Sequence, residues 1–162
     1  RRDDVRWRTA TAFTLIELIL VLVVMASMLA MAAPSLRNWS QGSKLKNAAE
    51  QVIAAAGYAR SQAITTANVY RLEIDVSSAT YKVTHEENGI PTTTPGEFGE
   101  NTPLPTGFRM DLKTGGATGS MIEFYPNGRI TIATIRVTSP NGDWIEVGNE
   151  SQAERFRVLA QK

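Results

Sequence analysis

An almost wholly apolar run extends from Phe13 to Ala33, and Thr14, Glu17 and Ser27 are its three polar side chains. A helix of about 21 residues, rising about 1.5 Å per residue, is roughly 30 Å long. That length matches the hydrocarbon core of a bilayer, so the run predicts a transmembrane helix at residues 13–34. An ionised carboxylate in that core costs at least about 3 kcal/mol. The presence of Glu17 therefore needs an explanation.

Three interpretations of this segment differ in where the mature chain begins. A secretory signal peptide would be cut at a small-residue site such as AMAAPSL, but its apolar core is usually shorter. A plain membrane anchor explains the length of the run and leaves the acid unexplained. Cleavage before Phe13 would place a new α-amino group about one helical turn from Glu17. Opposite charges at that separation can offset the cost of burying each other.

The residues around this third cleavage point are similar to a known processing signal. The stretch FTLIEL, preceded by a small residue and a basic leader, resembles the processing site of type IV pilins and pseudopilins. The resemblance implies a leader at residues 1–12, cleavage between Ala12 and Phe13 by a prepilin peptidase, and N-methylation of Phe13. Pro34 falls where family members often carry a proline. Ala12 stands where the family usually has glycine, which should still fit the peptidase but slow the cut.

The same resemblance implies a role for Glu17 and a set of partners. The acid at this position is the signature acid of the family, and it pairs with the N-terminus of a neighbouring subunit during assembly. Partners would then be other pseudopilins or pilins, which contact the chain through its N-terminal helix. The resemblance also implies a single pass through the inner membrane and a periplasmic C-terminal domain. Basic residues flank the run on both sides, so the positive-inside rule supports this orientation only modestly.

Beyond Pro34 the sequence keeps a helical period to about Ala67. Apolar residues recur in alternating steps of four and three, which predicts an amphipathic helix at residues 35–67. This predicted stripe consists of Leu45, Ala49, Val52, Ala56, Ala59 and Ala63. Because most of these side chains are small, another element can pack closely against the stripe. Pro34 and Gly42 are expected points of bending.

From Val69 the apolar period changes to two, which predicts a β-rich domain at residues 68–162. The stretch NVYRLEIDV predicts a strand, and the SSA turn after it predicts a hairpin to a second strand at Tyr81 and Val83. Five later strands are predicted at Phe108–Leu112, Met121–Tyr125, Ile130–Thr138, Trp144–Val147 and Phe156–Leu159. The apolar parity shifts within the third of these, which predicts a bulge or break near Ala133.

The stretch from Thr84 to Thr106 is rich in Pro, Gly, Thr and Glu and shows no clear period. It predicts a long surface loop, and loops of that length are usually functional or mobile. Its acids form a candidate partner surface, with a merely variable loop as the alternative. They are Glu86, Glu87, Glu97 and Glu100.

Two further stretches resemble one branch of the pilin-like proteins. The stretch YARSQAITTANVYRLEID resembles a helix-to-strand junction of the GspH/FimT branch, and IEFYPNGRI resembles a turn of that branch. The resemblance implies an α+β, pilin-like fold. In that fold a long N-terminal helix, partly transmembrane, packs against an antiparallel β-sandwich.

The sequence offers few groups for catalysis or metal binding. His85 is its one histidine and cysteine is absent, so histidine triads, multi-histidine metal sites and thiolate sites are disfavoured. His85 is expected to be solvated. The stretch from Pro140 to Asp143 lacks the acids of a calcium loop and predicts a turn. Thr14 and Ser27 can bond to their own helix backbone. We therefore expect no enzyme activity, no catalytic residues, no cofactor and no metal.

Charge gives little support to nucleic-acid binding. Removing residues 1–12 takes away four Arg and two Asp and leaves 13 basic and 14 acidic side chains. Some FimT-like proteins resemble DNA receptors that use arginines near the C-terminus, and the candidates here are Arg155 and Arg157. Acids in the same segment balance these arginines, whereas DNA-binding surfaces normally show a basic excess. The simpler interpretation is a last strand with Phe156 inward and both arginines in solvent, so DNA is not an expected partner.

The resemblance as a whole implies a minor pseudopilin of a type II secretion system. Such a subunit would lie at or near the tip of a short periplasmic fibre and take part in protein secretion. Secreted proteins are then candidate partners. The alternative is a minor type IV pilin of the FimT kind, acting in pilus assembly or DNA uptake.

Overall fold

The computed structural model describes residues 13–87, 89–115 and 117–162, without the side chains of residues 31–40 and 117–118. The predicted leader at residues 1–12, with Ala12 at the cleavage point, lies outside the described residues. The chain forms two compact units that meet in sequence between Trp39 and Ser40.

One α-helix, α1, spans Leu15–Thr66. Its 52 residues include both Pro34 and Gly42. In the first unit, the large apolar side chains from Phe13 to Leu29 are exposed to solvent. The side chains at the end of the predicted membrane span, residues 31–34, lie outside the described set. Within the part of the chain that the structure describes, no helix is long and apolar enough to cross a membrane.

The predicted apolar stripe of α1 is confirmed in the second unit. Its six members are buried, and Ala48 and Ala55 are buried beside them. This wider face packs into one hydrophobic core with residues from the strands. Alanine contributes little apolar area, but its small side chain lets the strands approach the helix closely.

Ten strands follow the helix in the part of the chain that the structure describes. They are β1 (Tyr70–Asp75), β2 (Thr80–Glu87), β3 (Ile90–Thr93), β4 (Thr102–Pro103), β5 (Arg109–Thr114), β6 (Ala117–Thr118), β7 (Met121–Phe124), β8 (Ala133–Thr138), β9 (Trp144–Gly148) and β10 (Arg157–Gln161). The first sheet has the order β3-β2-β1-β7, with β4 also paired to β2. The second has the order β10-β9-β8-β5-β6. Every strand pair is antiparallel.

The predicted hairpin after the helix is confirmed by the pairing of β1 with β2, in which Ile74 lies opposite Tyr81. Its turn is held by the Asp75 carboxylate, which accepts hydrogen bonds from the backbone and side-chain groups of Ser77 and from the backbone N–H of Ser78. Hydrogen bonds from Ser77 and then Ser78 lower the pKa of Asp75 to about 2. The carboxylate therefore remains ionised and keeps closing the turn well into the acidic range.

The prediction of a long loop from Thr84 to Thr106 is wrong. The end of β2, all of β3 and β4, and a short 3-10 helix at Glu97–Gly99 lie within it. The Tyr58 hydroxyl donates to the backbone carbonyl of Pro95 at 3.3 Å, and the Tyr58 and Phe98 ring centroids are 5.3 Å apart. Thr and Glu residues obscured the strand period, and contacts with a distant helix residue cannot be seen in the local sequence.

The predicted break near Ala133 is confirmed. Strand β8 begins at Ala133, while Ile130 forms only an isolated bridge with Phe124 of the first sheet. The chain thus passes from one sheet to the other at this point. Inward side chains of both sheets and the alanine face of α1 belong to one core. The predicted α+β, pilin-like fold, with a helix against an antiparallel sandwich, is confirmed.

Candidate functional site

The first unit presents an apolar segment, defined here as residues 13–30. Phe13 is 78% exposed, Leu15 is 81% exposed and Leu20 is 62% exposed. Monomeric soluble proteins rarely expose apolar patches of this extent. The described residues do not cover these side chains, so the apolar segment is a candidate surface for assembly or membrane insertion.

Glu17 lies in the first turn of α1, close to the predicted cleavage point. Its backbone N–H lies 3.3 Å from the Thr14 hydroxyl oxygen and 3.1 Å from the Thr14 carbonyl oxygen, and Thr14 immediately precedes the helix. Thr-x-x-Glu is the sequence signature of a capping box, in which the hydroxyl of the first residue satisfies a free backbone N–H. The predicted bond of Thr14 to its own helix backbone is thus confirmed, but its role as a helix cap was not predicted from FTLIEL.

These hydrogen bonds use the backbone N–H of Glu17 and leave its side-chain carboxylate unbonded. The carboxylate accepts no hydrogen bond and forms no ion pair with any residue that the structure describes. The N-terminal end of a helix carries partial positive charge, which favours an acid there. Glu17 is thus an acid on an apolar segment whose carboxylate oxygens have no partner among the residues that the structure describes.

Ser27 needs no role beyond the helix, as predicted. Its hydroxyl donates to the Val23 carbonyl oxygen at 2.8 Å, one turn earlier. Such a bond satisfies the hydroxyl within apolar surroundings.

In the second unit, Arg71 joins two acids on the outer face of the first sheet. Its guanidinium nitrogens lie 2.6 Å from Glu86 and 3.2 Å from Glu123. Burial would lower the pKa of Arg71, but the hydrogen bonds and charges of both acids outweigh it and raise the pKa. The Tyr125 hydroxyl donates to Glu123 at 2.7 Å, and this bond, with Arg71, lowers the pKa of Glu123. Glu86, a predicted partner-surface acid, is thus already paired within the chain.

The C-terminal arginines fall into two groups. Arg136 pairs with Glu146 at 2.7 Å and lies over the Trp144 ring, 4.6 Å from its centroid. Arg157 pairs with Glu150. Arg155 forms no ion pair with any described residue and lines a groove beside α1. Phe156 is buried between two exposed arginines, as predicted, but the last strand begins only at Arg157, so Arg155 and Phe156 lie before it and not within it.

His85 is not fully solvated, contrary to prediction. It is half-buried in β2 opposite Tyr70, and the two rings stack with centroids 5.4 Å apart. The pairing of β1 with β2 brings the two rings together, and the residues next to His85 in the sequence give no sign of this pairing.

The stretch from Pro140 to Asp143 forms the predicted turn, in which the Ser139 N–H donates to the Asp143 carbonyl oxygen at 2.8 Å. Among the described residues, no group of three or more His, Asp or Glu could hold a metal ion.

Residues 48–160 match the family described as type II transport protein GspH. No curated protein is similar enough to the chain to count as a match. Among solved structures, the fold is similar to the minor pseudopilin EpsH from the type 2 secretion system of Vibrio cholerae. In one structure of EpsH the TM-score is 0.62 at 16% identity, over 74% of this chain and 96% of that one.

A second similar structure is the type IV minor pilin FimU of Pseudomonas aeruginosa. The TM-score is 0.55 at 18% identity, over 75% of this chain and 92% of that one. At these identities the two likenesses establish the fold alone. The match to the family covers both sheets and the end of α1 that packs on them, and so includes most of the second unit.

Proposed function

The chain belongs to the GspH family of type II transport proteins, and we infer from this membership that it is a minor pseudopilin of a type II secretion system. It is a structural subunit and not an enzyme. The match over residues 48–160 carries this assignment. Its partners are other pseudopilins in a fibre, and a position at or near the fibre tip is part of the proposal.

The exposure of the apolar segment supports a route into the fibre that begins in the membrane. Side chains as exposed as Leu15 and Leu20 need an apolar environment, first in the inner membrane and then among neighbouring helices of the fibre. Cleavage before Phe13 would create an α-amino group on each subunit. The unoccupied carboxylate of Glu17 would pair with that group of a neighbour, so that both charges are compensated in apolar surroundings. The β-rich domain would then lie in the periplasm, where secreted proteins are candidate partners.

Processing at Ala12–Phe13 is the direct test of this proposal. Co-expression with a prepilin peptidase should yield a mature protein that begins with N-methylated Phe13, as measured by intact-mass and N-terminal peptide mass spectrometry. Ala12→Gly should be cut faster, since glycine is the usual residue before the cut in this family. An N-terminus at Ala33 or Pro34 would instead identify an ordinary signal peptide and contradict the proposal.

The alternative function is a minor type IV pilin, and the fold similarity to FimU favours keeping it. Deletion of the gene separates the two functions. Loss of protein secretion with normal pili supports the pseudopilin, whereas loss of pili with normal secretion supports the pilin. DNA is not among the proposed partners. Arg157 is already paired with an acid, and Arg155 by itself is not the basic excess that a DNA-binding surface normally shows.

A further inference from the structure

A groove of about 550 Å³ lies in the second unit, lined by one face of α1 and by residues before β10. Buried side chains form its floor, namely those of Ala56, Ile130 and Phe156. Ile64 stands at one end and is 52% exposed, although it is a large apolar residue. The groove therefore offers apolar surface that the described residues leave uncovered.

Gly57 contributes to the open shape of this groove. A glycine inside a helix costs about 1 kcal/mol relative to alanine. That cost is often explained by close packing, but a Cβ atom added at Gly57 would have no atom within 4 Å. The fold itself therefore does not need glycine here. The missing side chain leaves open space above the helix at this point.

The charged side chains of the groove are all of one sign. Arg60 and Arg155 line it, and none of its lining residues is acidic. Arg60 donates one hydrogen bond to the Ala153 carbonyl oxygen at 3.1 Å, which fixes the guanidinium and leaves other N–H donors free. Arg155 is exposed and forms no ion pair with the residues that the structure describes. Two cations beside an apolar floor fit a ligand that combines carboxylates with apolar groups.

The length of the groove indicates the form of that ligand. From Ile53 to Ile64 the helix rises roughly 17 Å, at about 1.5 Å per residue. An extended peptide rises about 3.3 Å per residue, so about five residues would span the groove. Alternate side chains of such a peptide point to opposite sides, which allows apolar groups to face the floor while carboxylates reach the arginines.

We propose that this groove binds an extended acidic segment of another protein. Carboxylates of the segment pair with Arg155 and Arg60, and its apolar side chains cover Ile64 and the space above Gly57. The inference goes beyond the proposed function, because it concerns the second unit and holds whether or not the chain enters a fibre.

The test uses the full chain in nanodiscs of zwitterionic lipid and a fluorescein-labelled peptide, Leu-Glu-Leu-Glu-Leu, with binding measured by anisotropy. The peptide should bind, and its glutamine and lysine counterparts should bind at least about tenfold more weakly. Arg155→Ala should weaken binding about tenfold and Arg155→Glu by more, since a charge-assisted hydrogen bond is lost and then replaced by repulsion.

Gly57→Leu should abolish binding by filling the groove, while thermal unfolding stays the same or improves, because leucine favours helix more than glycine. Arg157→Ala is the matched control, since Arg157 lies two residues from Arg155 and is paired with Glu150; it should leave affinity unchanged. Equal losses with Arg157→Ala would indicate general attraction to positive charge and overturn the proposal. Binding that survives Gly57→Leu, or tighter Arg155-dependent binding of a 20-base-pair DNA than of the peptide, would overturn it as well.

Discussion

The large apolar side chains of the first unit that the structure describes are exposed, whereas most of those in the second unit are buried in its core. In the first unit Leu20 is 62% exposed, and in the second Leu72 is fully buried. Glu17 shows the same contrast with Glu123: the first has an unoccupied carboxylate, and the second is held by Arg71 and Tyr125. The second unit buries most of its large apolar side chains and pairs Glu123 internally, whereas the described residues leave the apolar segment and the Glu17 carboxylate uncovered.

The largest expected effect on the free energy of unfolding comes from comparing the same substitution, leucine to alanine, in each of the two units. Leu72→Ala removes a fully buried side chain from the core and should lower the free energy of unfolding of the second unit by roughly 3–5 kcal/mol. Leu20→Ala removes an exposed side chain and should leave that free energy nearly unchanged. Denaturant unfolding of both full-length variants in the same detergent checks the contrast. Equal losses would show that the units do not differ in the way proposed.

A smaller effect is expected from the ion pairs of the second unit. The pKa of Glu123 is lowered in the folded state, so its contribution to stability is complete above its unfolded pKa of about 4.5 and is lost as the pH falls through the folded value. Glu123→Gln should cost about 1 kcal/mol at pH 7 and flatten the loss of stability between pH 5 and pH 3.

Thermal unfolding across that pH range measures the effect of Glu123→Gln. Glu87→Gln is the matched control, because Glu87 is an exposed acid at the end of β2 without an ion pair among the described residues. If Glu123→Gln shows the same pH dependence of stability as the wild type, the Arg71–Glu123 pair does not stabilise the fold as proposed.

Glu17→Ala should have the smallest effect on folding and a clear effect on assembly. The carboxylate has no described partner, so the free energy of unfolding of the second unit should not change. Membrane insertion should persist or improve, because an acid leaves the apolar segment. Incorporation into sheared fibres, measured by immunoblot against Glu17→Gln and wild type, should fall. Incorporation at the wild-type level would remove the role proposed for this acid.

Much of the second unit could be predicted from local patterns. The alternation in NVYRLEIDV led to β1, and the parity shift near Ala133 led to the break before β8. The region from Thr84 to Thr106 was missed, because its short strands depend on pairing with β2 and its 3-10 helix on contact with Tyr58. His85 was misjudged for the same reason, since the ring that stacks on it belongs to another strand.

The candidate functional site also has parts that could be predicted from the sequence and parts that could not. The apolar segment and Glu17 follow from the order of residues alone, because they depend on length, hydropathy and neighbours within one turn. The expected cleavage point before Phe13 rests on the resemblance of FTLIEL to a known processing site, and it stays a prediction. The Thr-x-x-Glu spacing from Thr14 to Glu17 also indicates a helix cap, but the cap was not predicted from it.

By itself the sequence determined a long apolar helix with an acid in its first turn, an alanine stripe, and a series of strands. These depend on periodicity and on residues a few positions apart. Only the tertiary structure decided which charges are neutralised and which remain available. Arg71 reaches Glu123, 52 positions along the chain, and Arg60 reaches Ala153, 93 positions along. Such pairs form when the fold brings distant segments together, so Arg157 is paired with an acid while Arg155 is left at an open groove.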